Sequence, residues 1–327
     1  MFANKAGTTK MPTHITTAGI DTAKHKLDVV VRGIDGACTF DNDSSGWKKL
    51  AALVRRHRVD RVGIEASGGY EQGIVVYLRK RKVQVLVLQP AQVKAFARMR
   101  LQRAKTDPLD AALIAECTAI VEPRDIEPDP RLQEMAHHLT FLDQIGEDIA
   151  RFKTRLEHTS DKRLRRVILD DIARLKRRHK EELAGIVARL RTCADLARRL
   201  DLIESIPGIG LKTAVVLVIR MPELGRVTRE EAAALAGLAP FDDASGSRDG
   251  QRHIAGGRQR VRNALYAAAL PAAFKWNAAL KNFYRRLTQI AKKEHKQALT
   301  ACARKLLVYA NAVLAKGLPW SNVLPQN

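Results

Sequence analysis

Between Val83 and Pro90 the chain reads VQVLVLQP, an almost wholly apolar run of strand length. A strand that is apolar towards both sides has to be covered on both sides, which is the environment of a sheet sandwiched between helices. The flanking pattern agrees. ITTAGID (15–21) and KLDVVVRG (26–33) read as adjacent strands joined by a tight turn, and RVGIEAS (61–67) as a short buried strand. GWKKLAALVRRH (46–57) and YEQGIVVYLRKR (70–81) carry helical spacing, and further helices are expected over 91–101 and 107–120. Two early strands followed by strand–helix alternation predict an α/β domain with a mixed sheet over residues 15–121.

EPRDIEPDP (122–130) holds three prolines and four acids and reads as a linker. Beyond it Leu132, Met135, Leu139, Leu142, Ile145, Ile149, Phe152 and Leu156 step by three or four, a long amphipathic helix with a near-heptad stripe. EHTSDKR (157–163) interrupts it, and Leu164, Ile168, Ile172 and Leu175 begin a second helix running towards Leu190. Residues 131–198 therefore read as a coiled-coil helical hairpin. A narrow apolar stripe on so charged a helix needs burial, and a contact between protomers is expected to supply it.

The remainder, 199–322, reads as a mainly α domain. IPGIGLKTA (206–214) is a glycine-rich turn between helical patterns and resembles a helix-hairpin-helix. There Gly208 and Gly210 would let backbone N–H groups approach a phosphate, with Lys212 beside them. TREEAAALAGLAP (228–240) starts with a Thr-x-x-Glu capping pattern and is expected to end at Pro240. FDDASGSRDGQRHIAGGRQR (241–260) is a long polar loop, and Arg258, Arg260 and Arg262 are candidate nucleic-acid contacts.

Charge narrows the function. Fifty-seven Lys and Arg face 35 Asp and Glu among 327 residues, a net +22, which calls for a polyanionic partner, nucleic acid by default. The four cysteines are far apart, and neither they nor the nine histidines show ligand spacing, which argues against a zinc knuckle or a disulfide framework. The N-terminal stretch lacks the apolar core of a signal peptide, and runs such as AVVLVI (214–219) are too short to span a bilayer. A soluble cytoplasmic protein without membrane association is expected.

Four acids stand out as a set. Asp21 ends GID, Glu65 ends the strand in GIEAS, and Asp107 and Asp110 lie three apart in KTDPLDA (105–111). Alone, KTDPLDA reads as a helix start, with Thr106 or Asp107 as cap and Pro108 in the first turn. As a set, the acids belong to strand ends and to one face of a helix, where α/β folds place their chemistry. Clustered carboxylates repel one another, and a pair of Mg²⁺ ions removes that cost. Two such ions stabilise both the attacking and the leaving oxygen of a phosphoryl transfer. Acids, fold and charge together point to an RNase H-like nuclease architecture.

From about Thr17 to Trp320 the chain resembles the insertion sequence family 110 transposases, the bridge-RNA-guided recombinases. The resemblance rests on GIDTAKHKLDV, IEASGGY, KTDPLDA, IPGIGLKTA, LAGLAPFDDASGSRDG and GGRQRVRNALYAAAL. It implies a RuvC-like domain whose Asp21, Glu65, Asp107 and Asp110 hold Mg²⁺. It also implies a C-terminal transposase domain whose serine, at the Ser-Gly step after GLAP, is Ser245. Read locally, Ser245 and Ser247 are both turn residues, and Asp242 and Asp243 add negative charge beside them. No histidine is well spaced to activate either serine, His253 included. The resemblance further implies a covalent 5′-phosphoserine link to DNA, donor and target duplexes, a structured noncoding guide RNA, and a tetramer built as a dimer of dimers. Two other readings fit parts of the pattern: a metal-dependent junction nuclease that needs the acids but no serine, and a nucleic-acid-binding protein without activity.

Overall fold

The computed structural model describes residues 15–101, 107–122, 129–241 and 253–322, with backbone alone at Asp107, Pro108, Phe241 and Asn322. The chain divides into two compact units, residues 1–125 and 126–327.

In the first unit, β1 (Thr17–Thr22), β2 (Lys26–Val31) and β3 (Cys38–Asp41) form an antiparallel meander. Helix α1 (Ser44–Arg56) leads to β4 (Arg61–Glu65), which pairs parallel with β1, and α2 (Gln72–Arg79) leads to β5 (Gln84–Leu88), parallel to β4. The strand order is β3-β2-β1-β4-β5. Two helices follow, α3 (Pro90–Met99) and α4 (Asp107–Ile120). The mixed sheet is the one the alternation predicts, with β3 added at its edge. That strand is four residues long and its Cys38 and Thr39 are exposed, so it carries none of the apolar alternation that marks a strand.

Side chains alternate across the sheet. Ala18, Ile20, Val62 and Ile64 point to one face and share a core with Leu50 and Val54 of α1 and Ile74 and Leu78 of α2. Leu86 and Leu88 of β5 pack with Val93 of α3 and with Leu113, Ile114 and Cys117 of α4. Helices thus cover both faces, as a strand like VQVLVL requires.

The second unit is helical. A hairpin of α5 (Pro130–Glu157) and α6 (Lys162–Arg191) is followed by α7 (Ala194–Glu204), α8 (Leu211–Arg220) and α9 (Arg229–Ala236). A two-residue ladder joins β6 (Pro240–Phe241) to β7 (His253–Ile254). Then come α10 (Gln259–Pro271), a π-helical turn over Ala272–Trp276, α11 (Ala278–Arg285), a second π-helical turn over Arg286–Ile290, α12 (His295–Lys316) and a short 3₁₀ turn at Trp320–Asn322.

The hairpin forms where the stripe predicts it, but not all of the stripe awaits a partner. Leu132, Met135, Leu139 and Leu142 of α5 and Ile186 and Leu190 of α6 belong to the core of the second unit itself. Only the distal half projects as an arm, with Leu164, Val167 and Leu169 about half exposed. Helix α9 has the expected capping box between Thr228 and Glu231, yet it stops at Ala236. Gly237 closes it in the left-handed conformation that glycine adopts without penalty. Helix α12 is long and apolar enough to cross a membrane, but its Leu299, Leu306, Leu307 and Val313 are core residues of the unit.

Candidate active site

The first unit aligns its acids through two glycines. Gly19 and Gly63 are paired across β1 and β4, and both lie on the face that α4 covers. A Cβ on Gly19 would sit 2.1 Å from the Ala111 carbonyl oxygen and 2.3 Å from the Ala115 nitrogen, and one on Gly63 would overlap the Thr118 hydroxyl. The paired glycines are therefore a notch in which the helix seats. On the same face the Thr17 hydroxyl donates to the Ala115 carbonyl over 2.8 Å. Arg61, only 8% exposed, donates to the Thr118 and Val121 carbonyls at 3.3 and 3.1 Å and so caps the C-terminus of α4.

These contacts fix the direction of α4: it runs antiparallel to β1 and β4, its first turn towards their carboxyl ends. The acids follow by alternation. Asp21 lies two residues beyond Gly19 and Glu65 two beyond Gly63, so both belong to the α4 face, side by side at adjacent strand ends. From Gly19 to Asp21 the strand advances about 6.6 Å. From Ala111, over Gly19, back to Asp107 the helix advances about 6 Å. The turn bearing Asp107 and Asp110 therefore comes level with Asp21 and Glu65. Asp110 is half-buried; the Asp107 side chain lies outside the described residues.

The sequence reading missed a further acid. Asp28 of β2 stands directly opposite Asp21 in the antiparallel register, on the same face, and is 6% exposed. Its carboxylate accepts from the Thr39 hydroxyl at 2.6 Å and pairs with the Lys26 ammonium at 3.0 Å. In sequence it is one polar residue within KLDVVV; only the pairing with β1 sets it beside Asp21. Past β4, the buried Glu71 carboxylate accepts from the Ser67 and Gly69 N–H groups and the Ser67 hydroxyl, which fixes the ASGGY turn that follows Glu65.

Among the described residues no group of three His, Cys, Asp or Glu is arranged to hold a metal ion. The donor set still fits a hard divalent cation in kind, since Asp21, Glu65 and Asp110 bring carboxylate oxygens to one end of one face.

Ser245 and Ser247, with Asp242 and Asp243, lie outside the described residues. What is described is how the ends of that segment are held. Pro240 pairs with Ile254 and Phe241 with His253. Arg262 ties the two flanks, donating to the Gly237 carbonyl at 3.2 Å and the Gly256 carbonyl at 2.7 Å. Gly257, at φ +65°, packs so tightly that a Cβ would come within 2.1 Å of the Gly237 nitrogen.

The other candidate contacts have partners inside the second unit. Arg258 donates to the Glu223 carboxylate and the Arg220 carbonyl, both at 2.8 Å. Arg260 lies 3.2 Å from Asp143, which also pairs with Arg220 at 2.9 Å. Gly208 takes φ +99° and packs its Cα against Ala272, where a Cβ would stand 2.3 Å from that residue's own Cβ. Close helix packing thus requires a glycine at this position. Gly210 precedes α8 with open space around it, and the Lys212 ammonium is 3.4 Å from His179 Nε2 on α6. Burial, then the Lys212 charge, holds His179 below the ordinary imidazole range.

Residues 18–168 match a transposase model of the IS110 DEDD type, and residues 200–285 match the model of the transposase IS116/IS110/IS902 family. The chain belongs to the IS110 family of transposases. It is 28% identical over 323 residues to the pilin gene-inverting proteins of Moraxella bovis and Moraxella lacunata, covering 93% of this chain and 97% of each relative. It is 30% identical over 125 residues to an uncharacterized insertion element IS110 protein of Streptomyces coelicolor, across 38% of this chain and 30% of that one. For an IS110 transposase the first unit is an RNase H-like domain with a DEDD set, consistent with a divalent metal, and the substrate is DNA.

Proposed function

We propose that this transposase cleaves and rejoins DNA strands through a covalent 5′-phosphoserine intermediate, guided to its donor and target duplexes by a structured RNA. The observation that carries the reading is the alignment of Asp21 and Glu65 by paired glycines beneath the first turn of α4, in a chain whose two halves match the two IS110 models. The named relatives support recombination as the outcome, since their names describe inversion of a gene.

The roles divide between the units. Asp21, Glu65, Asp107 and Asp110 would hold Mg²⁺, two ions in this reading, which would supply polarisation of the phosphate and charge stabilisation during the transfer. Asp28, held by Thr39 and Lys26, keeps the strand opposite Asp21 in place and adds to the negative field at that end. Ser245 Oγ attacks phosphorus, its proton is lost to a base, the bond from phosphorus to the 3′-oxygen breaks, and that oxygen takes up a proton, from the same base or from water, to leave as a 3′-hydroxyl. Attack on the phosphoserine by the 3′-hydroxyl of another strand reverses these steps and frees Ser245. One phosphodiester is exchanged for another, so no nucleotide cofactor is consumed. The +22 charge suits an enzyme that holds RNA and two duplexes. Assembly as a dimer of dimers, with the exposed apolar residues of the α5–α6 arm between protomers, completes the reading.

Peptide mapping tests the chemistry. Protein trapped on labelled DNA in the presence of Mg²⁺ and guide RNA, then digested with protease and nuclease, is expected to yield a nucleotide on the peptide containing Ser245. The same mass on a peptide altered by Ser247→Ala but not by Ser245→Ala would move the nucleophile. Cleavage with no modified peptide would replace the recombinase with a hydrolytic junction nuclease.

A further inference from the structure

The stretch from the first π-helical turn to the start of α12 exposes aromatic rings amid positive charge. Phe274 is 49% and Trp276 59% exposed, large values for rings in a unit with a well-filled core. Phe274 is held in place by its neighbours. Phe274 packs on Tyr284 with ring centroids 5.0 Å apart, Tyr284 meets His295 edge-on at 5.9 Å, and the Tyr284 hydroxyl lies 2.6 Å from His295 Nδ1. The Lys275 ammonium stands 4.6 Å from the centre of the Trp276 ring. Neither ring is needed to fill the core, and Asn277 anchors the turn beneath them by donating to the Pro207 carbonyl at 3.1 Å. Between Ala272 and Gln297 there are seven Lys and Arg and a single acid, Glu294. A π-helical turn is an uncommon irregularity that recurs at functional positions, and two of them bracket α11 here.

Exposed rings interleaved with cations are what an unpaired nucleic-acid strand requires: bases stack on the rings and the phosphates run along the charges. A duplex hides its base faces and would meet only the charges. A protein partner offering an apolar surface would find no use for seven cations. We propose that Phe274 and Trp276 form a stacking platform for single-stranded DNA, positioned by Tyr284 and His295 and supported by Lys275. A strand-exchanging enzyme generates such unpaired DNA. The proposal rests on transposase activity but not on the identity of the nucleophile.

The test uses full-length protein and fluorescence anisotropy with three labelled 20-mers at one salt concentration: oligo-dT, a DNA duplex and oligo-U. Stacking contributes about tenfold or more per base to affinity. Phe274→Ala/Trp276→Ala is expected to weaken oligo-dT binding at least tenfold and duplex binding less than threefold, whereas Trp276→Phe retains most of the oligo-dT affinity. Both rings are exposed, and an unchanged melting temperature will show that the variants fold. Equal loss for duplex and single strand, or no loss for either, would overturn the proposal. A preference for oligo-U of tenfold or more would reassign the platform to RNA. A change of oligomeric state in the double variant would identify the patch as a contact between copies instead.

Discussion

Replacing Asp21 with asparagine is expected to lower DNA cleavage by on the order of 10³-fold while the protein remains folded. Asparagine keeps the size of the side chain and one oxygen but removes the charge, and with it most of the attraction for a hard divalent ion. Changes to groups that merely orient a metal ligand typically cost 10–100-fold, so loss of a ligand should exceed that range. Asp28→Asn provides the comparison. Its carboxylate is tied to Thr39 and Lys26 rather than offered to a metal, so an effect of about 10–100-fold is expected, together with weaker metal binding. Cleavage of labelled DNA across a Mg²⁺ titration, with thermal melts of each variant, separates the two. Cleavage by Asp21→Asn within tenfold of the parent would remove Asp21 from the metal set.

The largest effect on stability should come from a single methyl group. Gly19→Ala places a Cβ 2.1 Å from the Ala111 carbonyl oxygen and 2.3 Å from the Ala115 nitrogen. Both are backbone atoms of α4, so no rotamer change relieves the overlap. The helix must lift from the sheet or the strand must bend, and a loss of at least ~3 kcal/mol is expected, at or above the upper end for overpacked cores. Gly63→Ala meets the Thr118 side chain instead. There the companion change Thr118→Ala should restore much of the loss, as coupled neighbours do. Urea unfolding of the four variants measures this. Gly19→Ala tolerated within about 1 kcal/mol would show that the notch does not set the seat of α4, and would weaken the argument that aligns the acids.

The same tripeptide logic explains why so much of the first unit was legible. GID and GIE each put a glycine two residues before an acid, hence on one face of a strand, and the apolar run VQVLVL demanded helices on both sides of the sheet. Period and spacing carry that information directly. Pairing does not show in a linear pattern, so Asp28 passed unnoticed until its register with Asp21 was known. Strand β3 was missed because an exposed four-residue edge has no alternation to read.

In the second unit the sequence showed which residues are charged or apolar but not what they meet. The stripe on α5 was plain, yet the fact that its first half packs into the core of its own unit depends on α8, α10 and α12 arriving from far along the chain. Arg258 and Arg262 read as candidate phosphate contacts because arginine so often is one; that they also bind Glu223 and the carbonyls of Gly237 and Gly256 does not show in a linear pattern. Gly208 reads as a phosphate-binding glycine, and its close packing against Ala272 shows only in the fold. The resemblance supplied Ser245, which local chemistry could not separate from an ordinary turn serine.

The most direct test of the central claim is a covalent-trapping assay with the full chain, guide RNA, Mg²⁺ and labelled donor and target DNA. Denaturing electrophoresis would then compare the parent with Ser245→Ala and Asp21→Asn. The account predicts a DNA–protein adduct in the parent that disappears in both variants and on chelation of the metal. Metal-dependent cleavage that leaves no adduct and survives Ser245→Ala would contradict it.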